Sequence, residues 1–229
     1  MNLQPEEWAA LMLSIKVSTW AMTASLPLAI LVAWILARGN FVGKWMLSAF
    51  VHMPLVLPPV VTGYLLLLVF GRTGIIGGWL EQIGIVLAFR WTGAALAAAI
   101  MGFPLMVRAI QLAIEAVDPK LEEAAETLGA DPAWRFMLIT LPLIAPGILA
   151  GAVLGFAKAI GEFGATITFV ANIPGETQTL PSAIYAFLQI PGGESGALRL
   201  VLLSIFVALG AVLISEWLSR LVAARIGRR

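Results

Sequence analysis

Five long apolar stretches alternate with short polar connections along this chain. They run from about Leu11 to Ala37, Trp45 to Phe70, Trp91 to Ile114, Phe136 to Ala157 and Leu198 to Leu218. A helix needs about 20 predominantly apolar residues to cross a bilayer core, and each stretch is long enough. The pattern predicts an all-α integral membrane protein with five transmembrane helices, folded as a single transmembrane domain over residues 1–229.

One connection breaks the apolar rhythm. Between the third and fourth stretches lies Asp118-Pro119-Lys120-Leu121-Glu122-Glu123-Ala124-Ala125-Glu126-Thr127-Leu128-Gly129-Ala130-Asp131-Pro132. So many carboxylates exclude it from lipid, and the segment reads as a complete helix over about 118–129. Asp118 suits the N-cap, Pro119 the first helical position, and Gly129 the left-handed stop. At about 100° per residue, Leu121, Ala124, Ala125 and Leu128 share one arc. Glu122, Glu123 and Glu126 fall on the other side. A charge run alone reads as a solvated face. The caps, the apolar arc and the alanines, which let another backbone approach closely, favour a helix offered to a partner's groove.

Composition agrees with the membrane reading: 60% of residues are hydrophobic and 12% charged, against about 25% charged in a soluble domain. Cysteine is absent, so disulfides, thiolate catalysis and cysteine metal sites are excluded. A net charge of +1 points to no nucleic-acid partner. The start, Met1-Asn2-Leu3-Gln4-Pro5-Glu6-Glu7, lacks the basic region and small-residue cleavage site of a signal peptide. With the N-terminus outside, Arg38, Lys44, Arg108, Lys120, Arg135, Arg220, Arg225, Arg228 and Arg229 lie inside. Lys16, Arg72, Arg90, Lys158 and Arg199 lie outside, which makes nine of the 14 basic residues internal. The positive-inside rule then expects the N-terminus outside, the C-terminus inside and the charged helix in the cytoplasm.

Several further features carry two readings each. Gly147, Gly151 and Gly155 form a small-residue stripe for close helix packing in the fourth stretch, within the chain or against a second copy. Pro54, Pro58 and Pro59 interrupt the second stretch; such breaks either kink a helix or line a substrate path. Lys158 and Glu162 either form a local ion pair or line a vestibule for a charged solute. His52, the sole histidine, reads as a structural polar group, with no metal site expected. In the long connection from Lys158 to Arg199, residues 172–177 carry turn chemistry and Leu180 to Gln189 reads as a short interfacial helix. Residues 165–171 either extend the fourth span or re-enter the bilayer. No H-E-x-x-H or G-x-S-x-G pattern is present, and Gly39-Asn40-Phe41-Val42-Gly43-Lys44-Trp45 is one residue short of a phosphate loop and lacks its hydroxyl.

Glu123-Ala124-Ala125, Gly129, Ile139 and Leu141-Pro142 together resemble the cytoplasmic signature loop of bacterial ABC-importer permeases. Pro54 to Tyr64, Phe103 to Ala109, Gly161 to Val170 and Asn172 to Tyr185 resemble the molybdate permease subunits within that group, so that the likeness covers nearly the whole chain. Against the longer relatives, the chain would begin at their second span. The resemblance implies a multi-pass bacterial inner-membrane homodimer that forms the translocation pathway. Two cytoplasmic ABC ATPase subunits would bind ATP and Mg, with no cofactor in this chain, and a periplasmic or extracellular binding protein would deliver molybdate. Leu121, Glu123, Ala124, Ala125, Leu128 and Gly129 would couple to the ATPase. The same machine for sulfate, thiosulfate or tungstate is the nearest rival. An ion-coupled secondary transporter lacks coupling carboxylates in the spans, and an intramembrane enzyme lacks a nucleophile or metal set.

Overall fold

The computed structural model describes residues 4–226, with residues 1–3 and 227–229, including Arg228 and Arg229, outside that range. Helix α1 (Pro5–Arg38) starts with Pro5 in its first turn, and Glu7 reaches back to the Gln4 N–H at 2.9 Å. Gly43 turns the chain with φ +97° into α2 (Lys44–Val56), which is followed by α3 (Pro59–Phe70) and the short α4 (Gly77–Gln82). Helix α5 spans Trp91–Glu115 and α6 spans Pro119–Thr127. Helix α7 (Pro132–Arg135), a π-helical turn (Phe136–Thr140) and α8 (Leu141–Ile160) follow without a break. Short helices α9 (Gly164–Val170) and α10 (Leu180–Leu188) precede the long α11 (Glu194–Ile226).

Four helical segments are long and apolar enough to cross a bilayer: Pro5–Arg38, Trp91–Glu115, Pro132–Ile160 and Glu194–Ile214. The second predicted span, Trp45 to Phe70, is not one straight helix. It is two helices, α2 and α3, bent by 112°, and makes a fifth candidate only when the pair is taken together. The cause is local. Leu57 and Pro58 each precede a proline, which drives the preceding residue into extended backbone, and both are extended, at ψ 139° and 132°. Pro58 and Pro59 also bring no N–H to the helical ladder.

Helix α5 is the central element, with buried residues along its length from Gly93 to Ile114. Its Ala94, Ala97, Ala98 and Gly102 are small enough for α1, α8 and α9 to close around it. Two apolar cores result. One joins Val17 of α1, Met101 of α5, Leu66 of α3 and Phe169 of α9. The other joins Leu36 of α1, Val51 of α2, Ile110 and Ile114 of α5 and Ile144 of α8. A third cluster, with Leu11, Leu180 and Leu200, seats α10 between α1 and α11.

The helices share two ends. At one, Arg38 of α1 meets α6. At the opposite end, Glu7 of α1 meets Arg199 of α11. The connection after α8 neither extends that helix nor stays irregular. Residues 164–170 form α9, with Ala165, Phe169 and Val170 fully buried. The expected turn at 172–177 has Gly175 at φ +77°, and the expected short helix is α10.

Candidate functional site

Helix α6 is capped as its sequence requires. The Asp118 carboxylate accepts from the Lys120 N–H at 3.0 Å, and Gly129 turns the chain at φ +85°. An ideal Cβ at Gly129 would meet nothing within 4 Å, so only the backbone angle calls for glycine there.

Helix α6 lies on the surface and buries none of its side chains. Leu121 is 47% exposed and Leu128 89%; Ala124 is exposed, Ala125 is partly covered, and Glu123 is exposed on the opposite side. Two of its carboxylates hold it to the body. Glu122 Oε1 accepts from Thr140 Oγ1 at 2.8 Å and from Arg38 Nη2 at 3.3 Å. The same Arg38 nitrogen donates to the Val117 carbonyl at 3.0 Å. Glu126 pairs with Arg135 of α7. A helix anchored through Glu122 and Glu126 that leaves Leu121 and Leu128 in water has an unfilled apolar face.

The interrupted helices α3 and α9 meet each other. An ideal Cβ at Gly63 of α3 would lie 2.5 Å from the Ala165 carbonyl, and one at Gly164 of α9 would lie 2.7 Å from Pro59. The proline break at 57–59 therefore sits against the break at 161–163. Glu162 lies in that second break, 3% exposed. Its carboxylate accepts from Lys158 Nζ at 2.6 Å and from the Ala165 N–H at 3.0 Å. The local ion pair is thus formed, and the same carboxylate starts α9. The Thr62 hydroxyl, close by in sequence on α3, is buried without a partner among the described residues.

Pro54 lies elsewhere, in the wall of an apolar groove of about 640 Å³ between α1, α2, α3 and α5. Among the described residues, Ser25 and Thr62 supply its only polar side chains, and Pro58 and Pro59 are not part of its lining. His52 Nδ1 is 2.7 Å from the Ser48 carbonyl on its own helix, a local contact.

The glycine stripe faces inward. An ideal Cβ at Gly151 would lie 3.1 Å from the Met106 carbonyl of α5, and one at Gly102 would lie 3.0 Å from the Gly155 carbonyl. Gly147 packs on Ala113. The stripe is the contact surface of α8 on α5.

Residues 25–228 match the family described as the inner membrane component of binding-protein-dependent transport systems. The chain belongs to this family. It is a multi-pass inner-membrane transport component, and the matched range includes both α6 and the facing helix breaks. Over 230 residues, all of both chains, it is 60% identical to the molybdenum transport system permease protein ModB of Escherichia coli K12. It is 39% identical to the sulfate transport system permease protein CysT of the same organism, over 70% of this chain and 58% of that protein. Its fold matches a chain in the crystal structure of a bacterial alginate ABC transporter in complex with a pentasaccharide-bound periplasmic protein. The TM-score is 0.76 at 20% identity, over 95% of this chain and 79% of that one.

Sequence reading of this family member missed Arg38, Glu122 and Thr140. Their meeting brings Arg38, 84 residues from Glu122, together with Thr140, which is 18 residues away across a turn and α7. The only local signal is the spacing of Glu122 and Glu126, which places both carboxylates on the side away from the apolar arc.

Proposed function

We propose that this chain is the membrane-spanning subunit of an ATP-driven importer of molybdate. Two copies form the pathway. Two copies of a separate cytoplasmic ATPase, carrying ATP and Mg, seat on α6 through Leu121, Ala124, Ala125 and Leu128, with Glu123 at the edge and Gly129 setting the exit angle. An external binding protein delivers the oxyanion. The bent pair α2 and α3 counts as one span, giving five, with the N-terminus outside and α6 in the cytoplasm.

The observation that carries this reading is the exposed apolar face of α6. A helix anchored through Glu122 and Glu126 that exposes Leu121 and Leu128 suits a groove on a partner. The oxyanion rests on full-length likeness to the molybdenum permease. The facing breaks at Pro58-Pro59 and at Glu162, with Lys158, are the proposed walls of the path, because broken helices recur where substrates cross a bilayer. Sulfate is the second reading, favoured by likeness over a shorter part of the chain.

The test is reconstitution in proteoliposomes with the cognate ATPase and binding protein. Labelled molybdate should enter only with ATP, and the purified chain alone should neither bind nor hydrolyse ATP. Uptake of sulfate but not molybdate would move the assignment to the second reading, and uptake driven by an ion gradient without ATP would end it. The chain has no native cysteine, so Glu123→Cys reports topology directly: labelling from the external face would refute a cytoplasmic α6.

A further inference from the structure

The carboxylate of Glu122 is a joint between α6 and the spans. One oxygen, Oε1, holds two donors from two elements: Thr140 Oγ1 at 2.8 Å and Arg38 Nη2 at 3.3 Å. Arg38 is the last residue of α1 and also grips the Val117 carbonyl, in the turn between α5 and α6. Thr140 is 1% exposed and closes the π-helical turn at the foot of α8. A π turn carries an extra residue, shifts the phase of everything beyond it, and occurs frequently at functional sites. Glu122 also points away from the apolar arc that faces solvent, so it is free of any groove that receives that arc.

We propose that Glu122 is the positioning residue that transmits displacement of α6 to the feet of α1 and α8. This rests on the reading of α6 as the ATPase-docking helix. An exposed ion pair would be worth little. Here Arg38 and Glu122 are only 20% and 22% exposed, and the joint combines a charge pair with a hydroxyl and a carbonyl from different elements. No other described side chain of α6 bonds directly to two long helical units: the apolar arc bonds to none, and Glu126 reaches only Arg135. When the partner moves α6, the force therefore enters the spans at Arg38 and Thr140. Without the joint, α6 remains seated but the spans no longer follow it.

The experiment compares Glu122→Ala, Thr140→Val and Thr140→Ser in the complete transporter in proteoliposomes. Three quantities are read: membrane level, ATPase co-purification, and ATP hydrolysed per molybdate imported. Glu122→Ala should keep the first two near wild type and raise the third about tenfold, within the usual range of a coupling free energy. Thr140→Val, which removes one hydrogen bond and little volume, should raise it about fivefold. Thr140→Ser restores the hydroxyl and should restore the wild-type ratio. An unchanged ratio in Glu122→Ala overturns the proposal, as does loss of ATPase association in step with transport. Should Glu122→Ala fail to accumulate, Thr140→Val decides, and a wild-type ratio there sinks the idea. Ala125→Glu separates the two layers: if it binds the ATPase normally, the docking reading itself has failed; if it loses the ATPase while Glu122→Ala stays coupled, only the joint has.

Discussion

The two ends of the molecule are held by ion pairs whose acids are buried to different depths. At the end away from α6, Glu7 is fully buried and takes both Arg199 Nε and Nη2, at 2.9 and 2.7 Å, while Ser14 Oγ accepts from the Leu180 N–H at 2.6 Å. These contacts fasten α1, α10 and α11 to one another. At the α6 end the acids themselves are less covered, Glu122 at 22% and Glu126 at 63% exposed, and the helix that carries them buries none of its side chains. The difference separates a frame from a joint. A fully buried charge that loses its partner costs several kcal/mol and endangers the fold, whereas an acid that keeps some contact with water can be hydrated when its partner leaves, at smaller cost. Substitutions at one end should therefore read out as stability, and at the other as function with stability retained.

The largest effect expected is at the frame. Arg199→Ala leaves Glu7 buried and unpaired, and should lower stability by about 3 kcal/mol. Thermal unfolding in detergent measures it, and an unchanged midpoint would show that the end is not a frame. Next comes the α5–α8 seam. Gly151→Val drives a branched side chain against the Met106 carbonyl and should cost about 2 kcal/mol by overpacking, seen as lower membrane yield and earlier unfolding. A yield equal to wild type would remove the seam from the frame.

Smaller stability effects are expected at the joint. Gly129→Val forces a side chain into the left-handed region for about 1 kcal/mol. Membrane level should stay near normal while ATPase co-purification falls; loss of the protein itself would erase the contrast between the ends. Glu126→Ala breaks a pair whose acid side chain is 63% exposed, and should change stability by no more than about 0.5 kcal/mol. A larger loss would mean that Glu126, and not Glu122, holds α6 to the body.

Much of this architecture is legible in one sequence. Apolar stretches long enough for a bilayer have few ways to satisfy their backbone except as helices. The positions near 11–37, 91–114, 136–157 and 198–218 accordingly lie inside observed helices. Asp118, Pro119 and Gly129 announce α6 because capping is chemistry between near neighbours. The break in the second stretch was marked by Pro58-Pro59, but its 112° bend was not. Proline frees the backbone locally, and only the packing of α3 on α9 decides where the released helix goes.

Periodicity also told which side of α6 is apolar, but it implied nothing about which side is covered. A pattern that ordinarily seats leucines on the core here leaves Leu121 and Leu128 exposed, and the helix is held instead through Glu122 to Arg38 and Thr140 and through Glu126 to Arg135. Lys158 and Glu162, four positions apart, suggested their own pair, since helix geometry alone brings such neighbours together. Glu7 with Arg199, Glu122 with Arg38 and Thr140, and the meeting of the two helix breaks join residues whose separation along the chain carries no distance information. Local sequence determined the helices, their caps and the small-residue seam, because those depend on contacts within a few turns. The tertiary structure alone decided the bend, the frame and the joint, because each needs elements distant in sequence to arrive at one place.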